Sequence, residues 1–81
     1  MLVISYKGYV YKFVKKDETE TPAIFRDRCW WIVKNIDNKD LNLDKLMYLS
    51  NIYIAMKYYG VSYDDNITEI MKTLKDVYEK Q

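Results

Sequence analysis

The chain has 81 residues, 49% of them apolar, with a formal net charge of +1, one cysteine and no histidine. This length predicts one domain spanning residues 1–81, and the apolar content excludes a disordered chain. A single cysteine without histidine excludes an internal disulfide and a Cys/His zinc site, and no apolar run approaches the roughly 18 residues of a membrane helix.

The opening segment, MLVISYKGYVYKF, lacks a charged n-region, and Lys7-Gly8 and Lys12 break its apolar run. It is therefore not expected to act as a signal peptide, and an intracellular protein without membrane partners is anticipated. The same residues predict a β-hairpin over residues 2–15, because Lys7-Gly8 is a two-residue connection of the type that favours a primed turn. Pairing Tyr6 with Tyr9 puts Leu2, Ile4, Tyr6, Tyr9, Tyr11 and Phe13 on one face, and Val3, Ser5, Val10, Lys12 and Val14 on the other. A two-stranded hairpin is marginal by itself, so the aromatic face should lie on another element.

After the polar stretch KKDETET, Thr21 followed by Pro22 is a helix-start signal, since proline lacks only an amide that would be unpaired there. A first helix is predicted at about residues 22–36. At about 100° per residue, Phe25, Cys29, Ile32, Val33 and Ile36 form one stripe, with Ile24 and Trp31 projecting away from it and Trp30 on the opposite flank. This helix has two apolar sides, so its adjacent tryptophans serve different surfaces.

DNKD interrupts the pattern, and Asp40 or Asn42 can cap a second helix over about 41–59, stopped by Gly60 in a left-handed conformation. Its residues are apolar around most of the perimeter, which predicts a central, largely buried helix. VSYDDN supplies a loop, and Asp65 or Asn66 opens a third helix over about 65–79. There Ile67, Ile70, Met71, Leu74, Val77 and Tyr78 repeat on one side, and Asn66 with Glu69 has the spacing of a capping box. The expected fold is α+β, a hairpin followed by three helices (ββααα), with the second helix at the centre.

No constellation for catalysis emerges. Cys29 has no histidine to activate it and lies mid-stripe, where it reads as a small core residue. The pairs Asp17-Glu18 and Asp64-Asp65 precede helices, where carboxylates favour the helix N-terminus. DNKDLNLDK departs from a calcium loop in having Lys39 at the third position, no glycine at the sixth and Tyr48 at the place of the bidentate glutamate. No glycine-rich phosphate loop or nucleophile elbow occurs, so neither an enzyme nor a cofactor, metal or small-molecule ligand is anticipated.

Two binding classes remain. Two tryptophans and nine tyrosines exceed what one small core readily encloses, and these residue types concentrate at binding hot spots. Protein–protein interaction is therefore the first expectation, by a homodimer or with another protein, and Ile24, Arg28 and Trp31 are the anchor candidates. The far side of the second helix and the hairpin edges are further candidate surfaces. The alternative is nucleic-acid binding through Lys7, Tyr9, Lys12, Lys15 and Lys16, with tyrosines as stacking platforms. IAMKYYGVSYDDNITEIMKTL has the outline of a helix-turn-helix, but its turn is long and Asp64 and Asp65 would meet phosphates head-on.

The segment FRDRCWWIVKN, the later KYYGVSYDD and the opening YKGYVYKFV together resemble short uncharacterised proteins encoded by large DNA viruses of protists. The resemblance covers most of the chain and implies a viral accessory or virion protein. It assigns no catalytic or binding residue.

Overall fold

In a computed structural model, which describes residues 1–80, the order is β1 (Leu2–Tyr6), β2 (Tyr9–Phe13), α1 (Pro22–Asn35), α2 (Leu43–Tyr59) and α3 (Asp65–Lys80). The ββααα architecture is thus an antiparallel hairpin followed by three helices. The hairpin pairs Leu2 with Phe13 through Tyr6 with Tyr9, as the alternation of its residues requires. Lys7 and Gly8 both have positive φ, 50° and 82°, which matches the primed turn whose twist suits paired strands. Ile4 is buried, with Leu2, Tyr6, Tyr11 and Phe13 packed around it, whereas Tyr9 at the turn points past the core into solvent.

Each helix begins at a polar side chain that accepts an otherwise unpaired amide. Thr21 accepts from Ile24 N–H at 3.3 Å, with Pro22 at the first helical position. Asn42, not Asp40, caps α2 by accepting from Lys45 N–H at 2.8 Å. Asp64 caps α3, taking the Ile67 amide at 2.9 Å, and of the two expected openers it is Asp65, not Asn66, that is the first helical residue. The correction is one of register: Asp64 reaches an amide three residues on, and helical residues begin directly after it. Gly60 ends α2 at φ 65°, and the following Val61 N–H donates to the Ala55 carbonyl at 3.2 Å.

The central helix is α1, in contrast to the expectation for α2. It alone packs its backbone against β1, α2 and α3. One side, Phe25, Cys29 and Val33, carries the hairpin, and Trp30 meets Tyr6 edge-on at 6.2 Å. The other side, Trp31 and Ile32, enters a cluster with Leu46, Leu49 and Ile52 of α2 and Met71 and Leu74 of α3. The single stripe expected on α1 therefore splits: Ile32 and Ile36 join Trp31 and leave Phe25, Cys29 and Val33 to the hairpin. No helix among the described residues is long and apolar enough to cross a membrane.

Candidate interaction surface

The apolar perimeter of α2 exceeds what α1 and α3 cover. Leu46, Leu49, Ile52 and Ile54 are buried, with Tyr53 and Met56 partly so. At about 100° per residue these occupy little more than half the helix circumference. The opposite arc presents Met47, Tyr48 and Tyr59, exposed by 43%, 57% and 68%, together with Asn51 and Ala55, while Leu43, 61% exposed in the first turn, lies on the covered side near Ile54. Asp44 is the one charged residue on that arc, because Lys45 and Lys57 fall outside it on the helical wheel. Ile24, half-buried on α1, borders this arc at a small recess lined by Asn51, Ala55 and Tyr59 on one side and by Lys16, Asp17 and Glu20 on the other.

Two of the three expected anchors are interior. Trp31 is fully buried, stacked on Tyr53 with ring centroids 5.7 Å apart. Arg28 is 5% exposed, and its guanidinium grips the Glu20 carboxylate with Nε and Nη2 at 2.7 and 3.0 Å. Glu20 also accepts the Lys16 amide at 2.9 Å, so the pair ties the segment after β2 onto α1. Wheel geometry separates Trp31 from the Phe25 stripe correctly, but separation from one stripe is not exposure: a second core lies on that side. Ile24 alone of the three remains available to a partner.

A polar knot joins the helices. The Asp27 carboxylate of α1 accepts from Tyr53 Oη at 2.9 Å, Tyr58 Oη at 2.7 Å, Lys57 Nζ at 2.6 Å and, more distantly, Tyr78 Oη of α3 at 3.4 Å. Burial alone would raise the Asp27 pKa, yet the hydrogen bonds from Lys57 and the tyrosines outweigh it and hold the carboxyl below its ordinary range. The hydrogen bond to Asp27 raises the Lys57 pKa, and burial raises that of Tyr53. A lysine held protonated and a phenol held neutral are poor nucleophiles or bases, so the knot's chemistry is that of a structural tie. Sequence reasoning missed it; the visible signals were the i, i+4 pair Tyr53/Lys57 and Asp27 as the single acidic residue of α1.

Cys29 has no exposed surface, and burial pushes its thiol up to about 11, the environment of an inert core cysteine. Among the described residues no cluster of three or more His, Cys, Asp or Glu could hold a metal ion. The hairpin residues of the alternative reading are spread out. Lys7 sits at the turn, 3.6 Å from Asp37 and over the Tyr6 ring, beside the exposed Tyr9. Lys12 is on the outward face of β2, and Lys15 and Lys16 lie beyond its other end. No protein-family model, curated protein or solved structure matches this chain.

Proposed function

We propose that this chain is a non-enzymatic interaction protein that self-associates through the outward arc of α2, with Ile24 at its margin. The observation that carries this reading is the exposed Met47, Tyr48 and Tyr59 on one face of α2, with Asp44 the single charge of that helix among them. Water-exposed apolar surface of this kind is costly, and covering it with the same surface of a second copy removes it from both. A twofold axis across α2 would bring the arc against itself, with tyrosines supplying contact area at low side-chain entropy cost. The setting we propose is that of an accessory protein, in keeping with the viral resemblance.

Sedimentation equilibrium over a wide concentration range, at low and high salt, tests this. A dimer insensitive to salt is expected, because its interface is apolar. Met47→Glu with Tyr48→Glu should leave the helical circular dichroism intact and give a monomer. A wild-type chain that stays monomeric throughout, or a variant that still dimerises, refutes the assignment. Assembly that dissolves in salt would instead favour contacts through the hairpin lysines.

A further inference from the structure

We propose that the cleft between α2 and α3 binds a single-chain alkyl carboxylate of the fatty-acid class. Both helices lean on α1, but their own backbones do not pack closely on one another. The space left between them is about 540 Å³, within the range of roughly 300–1,000 Å³ usual for small-molecule sites. Its walls divide by polarity. Tyr53, Met56, Met71 and Tyr78 are buried or half-buried, whereas Lys72 and Lys75 are exposed. An apolar floor in which two methionines adapt to a flexible chain, under a rim of Lys72, Lys75, Thr68 and a single carboxylate, Glu79, is complementary to an alkyl tail ending in an anion.

The charge accounting selects the sign. Lys57 also borders the cleft, but Asp27 already neutralises it at 2.6 Å. Lys75 has only an exposed contact of 4.0 Å with Glu79, and Lys72 makes no ion pair among the described residues. Glu79 lines the cleft as well and engages Lys75 only at the 4.0 Å limit, so Lys72 is the ammonium free to meet a carboxylate, with Lys75 beside it. The cleft is on the Tyr53/Met56 side of α2, away from the arc assigned to self-association, so the two sites are separable.

Isothermal titration calorimetry of the whole chain with dodecanoate below its micellar concentration is the test. Saturable binding of one dodecanoate per chain is expected, with decanoate weaker by about tenfold for the two methylenes lost. Dodecyltrimethylammonium, with the same tail and the opposite charge, should bind more weakly. Lys72→Glu with Lys75→Glu should weaken dodecanoate by about tenfold. Met56→Trp, which fills the cleft, should abolish binding, while Met47→Glu with Tyr48→Glu should leave it unchanged. Absence of saturable binding, equal affinity for the cationic detergent, or full affinity in the folded double-lysine variant overturns the proposal. Binding confined to phosphatidylglycerol vesicles, with none to free dodecanoate, also overturns it.

Discussion

Trp30 and Trp31 are neighbours in sequence and belong to different clusters, one under the hairpin and one between the helices. Trp31 is the costlier to change, since its indole is enclosed on all sides. Trp31→Ala would leave a cavity worth about 3–5 kcal/mol, comparable with the whole stability of a domain this small at roughly 0.05–0.15 kcal/mol per residue. The buried indole N–H, however, has no hydrogen-bond partner, and an unpaired buried donor is itself unfavourable. Trp31→Phe removes that donor and keeps most of the stacking on Tyr53. It should therefore cost only about 1–2 kcal/mol in urea unfolding followed by circular dichroism. Neither change should alter assembly while the chain is folded.

At the scale of the elements, termini matter because each helix end has orphan backbone groups and each must be closed locally. Gly60 is the informative case. A Cβ placed there would meet nothing within 4 Å, so any penalty for Gly60→Ala comes from the backbone at φ 65° and not from a clash. About 1 kcal/mol is expected, read as a fall in thermal midpoint of about 4–8 °C. Gly60→Asn should lose less, as asparagine tolerates that conformation better. The hairpin's primed turn and the caps at Thr21 and Asn42 follow from short-range chemistry of the same kind, which is why they were legible in the sequence.

For the molecule as a whole, two carboxylates fasten elements distant in sequence: Glu20 holds the connecting segment to α1, and Asp27 holds α1 to α2 and α3. Burial would raise the pKa of each, but hydrogen bonds to Arg28 and Lys16 for Glu20, and to Lys57 and the tyrosines for Asp27, bring both below their ordinary values. Folding therefore releases protons from these groups. Their contribution is complete above the unfolded carboxylate pKa, about 4, and is lost as pH falls through the lower folded values. At the other end, Lys57 and Tyr53 titrate higher in the folded chain, so their contribution is complete below about pH 10 and is lost as pH rises through their folded values. Without histidine, stability should be flat between about pH 5 and 9. Thermal melts across pH would show this plateau, with the acid limb shifting in Asp27→Asn.

The sequence by itself determined the hairpin and its register, three helices and their approximate ends, and a cysteine suited to the core. These depend on alternation, helical period and capping, all of which act over a few residues. Only the tertiary structure decided which helix is central, that Trp31 and Arg28 are interior, and that one arc of α2 is uncovered. Wheel geometry fixes the angle between side chains on one helix but not which neighbour occupies that angle. The same limit hid the Asp27 knot, whose partners Tyr53, Lys57, Tyr58 and Tyr78 lie 26 to 51 residues away and meet it only after the helices have packed.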